Sequence, residues 1–152
     1  MELWDAYYPD GTISGETLVR GEPIPPQYRH AVAEVLLMHS DGLFLLMQRD
    51  FQKPNHPGMW EASAGGAVLK GEEFLDGAKR ELFEETGLRA GQWREMYRDV
   101  TARTIFVGYA AVTDEKTVTI QPGETIAYRW VSAEQLRSEI EDGTVLGNRG
   151  RL

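Results

Sequence analysis

The chain is expected to fold as an α/β protein with a mixed β-sheet between helices. Two observations carry this: the order of the elements and the change of hydrophobic period along the chain. Runs of strand length come first, then a stretch with helical spacing, then further strands, then a second helical stretch. By itself this order admits α/β and α+β architectures alike.

The elements follow in sequence. Residues 2–8, with Trp4, Tyr7 and Tyr8, read as an aromatic strand; Asp10–Gly11 reads as a turn and residues 12–19 as the return strand. The aromatic residues could pack on their own core or pair with a partner chain in a homodimer. The segment GEPIPP at 21–26 is a rigid connector, because proline there excludes helix and central strand. Residues 31–38 form an apolar strand; Ser40–Asp41–Gly42 turns, and 43–48 return in a buried hairpin. The breaker-rich KPNHPG at 53–58 is loop, and 60–64 leads into the helical stretch. Beyond it, 97–101, 104–112, 117–120 and 128–131 read as strands. Ser132 opens a second helix, with Gln135 in capping-box position, Leu136 and Ile140 on its core face and Gly143 at its end.

Bulk composition narrows the function. With 152 residues, 41% of them hydrophobic, the chain suits a single domain, residues 1–28 being a hairpin and connector. A net charge of −8 argues against a nucleic-acid polymer or an anionic membrane as the main partner. It leaves room for a small phosphorylated ligand, since a metal ion and a few basic side chains reverse the sign inside a cleft. Absence of cysteine excludes disulfides, thiolate metal sites and a cysteine nucleophile. The start, MELWDAYYPDG, has neither the basic nor the apolar region of a signal peptide. No apolar run approaches the ~20 residues that span a bilayer. A cytoplasmic location is therefore expected.

The most informative stretch is GGAVLKGEEFLDGAKRELFEETGL. Leu75, Ala78 and Leu82 recur at helical spacing and predict the buried stripe, and Gly87 supplies the left-handed residue that ends the helix. Glu72 and Glu73 at its start suit the helix dipole. Glu81, Glu84 and Glu85 do not, because carboxylates in a last turn cost ~0.3–1 kcal/mol each. Glu81 and Glu85 are also like charges four residues apart. Arg80 reaches Glu84 at the favourable spacing. A cation held by the cluster explains an arrangement that the helix alone disfavours. Ligands made only of carboxylate oxygen suit Mg²⁺ or Mn²⁺. Such ions usually also bind substrate phosphate, and the matching reaction is metal-assisted attack of water on phosphorus.

From Gly66 to Leu88 the chain resembles the Nudix box, G-x5-E-x7-R-E-U-x-E-E-x-G-U with U aliphatic, at every specified position. The resemblance implies an α/β/α sandwich of MutT-like type with a mixed sheet. It implies hydrolysis of a diphosphate linked to another group, commonly a nucleoside diphosphate derivative. Glu81, Glu84 and Glu85 are its implied metal ligands, with Arg80 orienting them, Gly66 lending a backbone carbonyl and Glu72 in support. Glu124, six residues before Trp130 in GETIAYRWVS, matches a loop glutamate that serves Nudix enzymes as metal ligand or general base. Similar enzymes place an arginine at Arg49 to meet substrate phosphate, as the planar guanidinium suits. Lys53 and Arg103 are weaker candidates of that kind. His30, His39 and His56 lack metal-ligand spacing and read as structural or surface residues. Trp60, Tyr97, Phe106 and Tyr109 read as core or cleft wall, with stacking on a purine as the alternative.

Residues 4–66 further resemble the branch containing isopentenyl-diphosphate isomerases. Aligned from Trp60, the isomerase's catalytic cysteine and a metal-binding histidine fall on Gly65 and Ala67 here, although His30 matches another of its histidines. Without a thiol, and with the hydrolase box whole, the expectation is hydrolysis rather than isomerisation. A non-catalytic nucleotide sensor is the remaining alternative, and retention of all the box carboxylates weighs against it.

Overall fold

A computed structural model describes residues 1–146 of the chain; the last residues of the expected domain, 147–152, lie outside the described ones. The first two strands, β1 (Leu3–Tyr7) and β2 (Ile13–Val19), pair antiparallel in a sheet of their own. Trp4, Ala6 and Leu18 form a small core with Ile24, Tyr28, Ala67 and Leu69. Of the N-terminal aromatic residues, Trp4 and Tyr7 pack inside the same molecule, while Tyr8 is exposed.

The main sheet is built on β3 (His30–His39), whose alternation sends Ala31, Ala33, Val35 and Leu37 to one face. One edge of β3 pairs parallel with β8 (Thr104–Thr113), which pairs antiparallel with β7 (Gln92–Val100). Strand β7 begins earlier than the expected residue 97. Its opening residues are polar because the strand lies at the sheet edge, where charges such as Arg94 and Glu95 discourage further pairing.

The other edge of β3 is divided. Near its end Met38 pairs with Phe44 of β4 (Phe44–Arg49), as a hairpin requires. Nearer its start, Val32 to Val35 pair instead with β6 (Ala64–Ala67). Strand β4 leaves to pair with β9 (Thr125–Val131) and with β5 (Trp60–Glu61), and β5 pairs parallel with β10 (Val145–Leu146). The expected hairpin is thus splayed, and the gap between β4 and β6 opens a cleft. The sheet is mixed, as the sequence predicts.

Helix α1 (Phe74–Thr86) covers one face, with Ala78 and Leu82 fully buried against β3 and β8. Removing most of a buried leucine side chain such as Leu82 costs about 2–5 kcal/mol. Gly87, at φ 73°, ends the helix and donates its N–H to Phe83 O. Glu73 is the N-cap residue, so Glu72 lies just outside the helix rather than in its first turn. Helix α2 (Ala133–Glu141) covers the opposite face, where Leu136 packs on Leu46, Val131 and Val145. Ser132 Oγ accepts from Gln135 N at 3.0 Å as expected, but the Gln135 side chain reaches Glu139 instead of closing the box.

Residues 117–120 are not a strand. Val118 is buried, and Thr119 donates its N–H to Thr86 O at 2.9 Å. The segment satisfies a carbonyl at the end of α1 that the helix itself leaves without a partner. Among the described residues no helix is long and apolar enough to cross a membrane.

Candidate active site

The splayed sheet places strand β6 beside α1, with Gly66 facing the helix. A side chain there would put its Cβ 2.4 Å from both the Cδ and the Oε1 of Glu81. The backbone at Gly66 is not in the left-handed region, so glycine is required for space rather than for conformation. Its bareness lets the Glu81 carboxylate lie close against the strand. Glu85, one turn later, accepts from the Gly65 N–H at 3.3 Å.

Arg80 organises the cluster. Its Nε and Nη2 donate to the two oxygens of Glu72 at 2.8 and 3.1 Å. Its Nη1 donates to Glu81 at 2.9 Å and Glu84 at 3.2 Å, and Nη2 also reaches Ala67 O at 2.9 Å. One planar guanidinium thereby ties the helix to β6 and to the loop before it. Glu72 also accepts from Leu69 N–H.

The carboxyls differ in proton affinity. Burial alone would raise Glu72, but hydrogen bonds from Arg80 and Leu69 outweigh it and hold the group below the ordinary carboxylate value. Burial raises Glu81 despite the Arg80 bond opposing it. Glu85 is pushed well above the ordinary value, first by burial and then by the negative charge of Glu81, though part of its surface stays open to the cleft.

The cleft has two arms that share Val32, Lys53, Gly65, Gly66, Glu85 and Glu124. The narrower arm, about 240 Å³, runs between β4 and β6 and includes Glu34, Arg49 and Glu61. The wider arm, about 500 Å³, runs along α1 toward the N-terminal hairpin and includes Arg20, Trp4, Glu81 and Glu84. All three expected glutamate ligands, Gly66, Glu124 and Arg49 therefore lie on one cleft.

Several expected residues are engaged with protein groups. Arg49 donates to Asn55 O at 2.9 Å and to both oxygens of Glu61 at 3.1 and 3.2 Å. Lys53 and Glu124 form an ion pair at the mouth where the arms meet. Arg103 is exposed in the turn between β7 and β8 and lines neither arm. Among the described residues no three acidic or histidine side chains stand close enough together to form a ready ligand set. The guanidinium of Arg80 serves as counter-cation to Glu81 and Glu84.

None of the three histidines joins a metal-ligand cluster among the described residues, though His30 borders the wider arm. His30 stacks on Trp4 with ring centroids 4.4 Å apart and shares a hydrogen bond with Thr104 Oγ1 at 2.8 Å. His39 pairs with Asp41 and packs edge-on against Trp130, and His56 lies in the exposed loop before β5. Of the aromatic candidates, Trp60 joins the α2-side core beneath Arg129, and Tyr109 is buried. Tyr97 lies over Gly108 and donates its hydroxyl to Glu34 at 2.8 Å.

Sequence reasoning missed Glu34 and Glu61. Glu34 carried a usable signal, as the one charge in the apolar run AVAEVLLM. Glu61 is raised by burial, which Arg49 opposes, and its neighbours in sequence give no comparable sign.

The NUDIX domain model matches residues 28–146. An uncharacterized Nudix hydrolase of Listeria monocytogenes is 36% identical over 88 residues, 58% of this chain and 52% of that protein. Another from Pseudomonas aeruginosa is 31% identical over 103 residues, 66% of this chain and 61% of that one. This chain thus spans about half the length of the Listeria protein. The crystal structure of DR0079 from Deinococcus radiodurans superposes with a TM-score of 0.76 at 23% identity, covering 94% of this chain and 91% of that one. The NUDIX domain of Shewanella oneidensis NrtR, solved with ADP ribose, gives 0.59 at 17% identity, covering 72% and 77%. An intact box on the helix that faces the cleft, together with a domain match over most of the sequence, makes this chain a member of the Nudix family.

Proposed function

We propose that the protein is a Mg²⁺- or Mn²⁺-dependent hydrolase that cleaves the diphosphate of a nucleoside diphosphate derivative. The observation that carries this reading is the contact between bare Gly66 and the Glu81 carboxylate, beside a Glu85 that opens onto the same cleft. Glu85 is buried beside the negative charge of Glu81; a bound cation would relieve that repulsion, and an all-oxygen donor set fits a hard one.

Glu81, Glu84, Glu85 and the Gly66 carbonyl would hold the ion. When bound, it supplies Lewis acidity toward the phosphoryl oxygens and a lowered pKa for the attacking water. Arg80 fixes the helix-end carboxylates. Glu124 takes the proton of the attacking water, and Lys53 at its side faces the phosphate charge. Water oxygen bonds to phosphorus as the bridging P–O bond breaks, leaving two phosphorylated products. Arg49, braced by Glu61, orients the substrate from the narrower arm.

The ADP ribose in the Shewanella domain, a nucleoside diphosphate joined to a second group, supports this substrate class on the shared fold. Gly65 and Ala67 stand where an isomerase needs its cysteine and a histidine, which supports hydrolysis. The test is release of the two phosphorylated products, separated by chromatography, from a panel of nucleoside diphosphate derivatives with Mg²⁺ and with EDTA. Release that chelation abolishes supports the reading. Tight binding with no release in Mg²⁺ identifies a sensor instead, and conversion of isopentenyl diphosphate to its isomer identifies an isomerase.

A further inference from the structure

The wider arm of the cleft has a wall that the family match does not include. The domain model begins at residue 28, yet Glu2, Trp4 and Arg20, all on or beside the N-terminal hairpin, line the same cavity as Glu81, Glu84 and Glu85. Three basic side chains border this arm: Arg80, Lys53 and Arg20. Arg80 is committed to three carboxylates and Lys53 to Glu124. Arg20 is different. Among the described residues its guanidinium engages Glu2 through Nη1 alone, at 3.2 and 3.4 Å. Its side chain is 66% exposed, so the remaining donors stay accessible at the cleft.

Arg20 is also aimed. Glu2 is fixed by the Trp4 indole, which donates to Oε2 at 2.7 Å. Trp4 is buried and stacked on His30, and His30 is joined to Thr104 of β8. Backbone pairing of Arg20 N with Glu2 O at 3.0 Å fixes the base of the side chain. An isolated surface ion pair needs no function and contributes little stability. A relay from the main sheet to the rim of the cavity, ending in a guanidinium with donors to spare, is a preorganised anion-binding group.

We propose that Arg20 binds a phosphate of the substrate lying beyond the diphosphate that is cleaved, so that the enzyme favours substrates with three or more phosphates in line. The wider arm takes this added anion, and the narrower arm, with Glu34 and Arg49, takes the opposite end of the substrate. The inference rests on the hydrolase reading above, which assigns the diphosphate to the junction of the arms.

The experiment compares a nucleoside triphosphate with the matching diphosphate in wild type, Arg20→Gln and Arg20→Lys, each with Mg²⁺. In Arg20→Gln the ratio of triphosphate KM to diphosphate KM rises about tenfold, or about 1.4 kcal/mol. Arg20→Lys recovers part of the shift, because it keeps the charge but not the planar fork. Thermal denaturation checks that the variants fold. A ratio equal to that of wild type overturns the proposal, as does a rise of both KM values together, which would place Arg20 at the common part of the substrate. Calorimetric binding of tripolyphosphate against pyrophosphate to wild type and Arg20→Gln separates the two readings. If wild type turns over neither nucleotide, the hydrolase reading is decided by the panel of nucleoside diphosphate derivatives above, and the loss or retention of tripolyphosphate preference in Arg20→Gln still decides the role of Arg20.

Discussion

Replacing Gly66 by alanine tests the place where the Glu81 carboxylate is seated. The added Cβ would lie 2.4 Å from Glu81 Oε1, against about 3.4 Å for an ordinary contact, so the carboxylate must retreat by about 1 Å. It cannot do so freely, because Arg80 Nη1 holds Oε1 at 2.9 Å and the helix is anchored by the fully buried Leu82 beside it. Metal sites tolerate deviations of about 0.2 Å, and a misplacement of about 1 Å in a catalytic constellation can cost about 100-fold. The expected result for G66A is a fall in kcat of about 100-fold, equivalent to about 2.7 kcal/mol of barrier. Stability should change little: alanine suits a strand better than glycine by roughly 0.5–1 kcal/mol, which offsets part of the clash. The assay is release of the phosphorylated products under saturating substrate across a Mg²⁺ titration, with a thermal melt beside it. Gly91→Ala is the control, since a Cβ there meets nothing within 4 Å. Turnover in G66A within about threefold of wild type, with the protein folded, would refute the claim that this glycine exists to seat Glu81.

Four further outcomes follow from the same geometry. Glu85 has its pKa raised in the fold, so its favourable contribution is present at and below the ordinary value of 4.5 and is lost as pH rises through the raised one. Glu85→Gln should therefore melt at a higher temperature than wild type at neutral pH in EDTA, lose activity, and lose the stabilisation that Mg²⁺ gives wild type; equal Mg²⁺ shifts in both proteins would count against the ligand assignment. His30 behaves in the opposite sense: burial first, then the charge of Arg20, lowers its pKa, so the stability tied to its neutral form is full above 6.5 and lost as pH falls through the folded value. The stability difference between wild type and His30→Gln, measured by urea unfolding, should shrink between pH 7.5 and 5.5, and a difference independent of pH would contradict this. Glu124→Gln should lower kcat by about 100-fold or more; undiminished turnover excludes it as the base. Arg80→Lys keeps the charge but not the fork that spans Glu72, Glu81 and Glu84, and kcat should fall at least about tenfold while Lys53 and Glu124 stay in place; full activity would show that charge alone suffices.

The parts of the site legible in the sequence are those written on one helix. Glu81, Glu84 and Glu85 could be placed together because helical spacing converts sequence distance into a face. Gly66 is expected from the sequence to lend its carbonyl to a metal; what the structure shows there is room for the Glu81 carboxylate. The splayed hairpin was not legible, since the register of β3 is set by which strand competes for its edge, and β6 wins that edge through contacts distant in sequence. Thr117 to Ile120 have strand composition yet end up capping α1, an outcome that depends on where the chain lies after β8. Glu61 and Arg20 escaped notice for a similar reason: neither has a neighbour in sequence that hints at the cleft, and only folding brings them to it.

The seam at residue 28 has a practical consequence. The residues proposed to hold the ion fall inside the matched domain, whereas one wall of the larger chamber is supplied by a preceding ribbon with a miniature core of its own, centred on Trp4 and Leu18. Two proteins can therefore share the box residue for residue and still differ in what they admit. Borrowing a substrate from a relative is sound only when the ribbon is compared as well, and a truncated version trimmed to the module would be assayed with one side of its chamber missing.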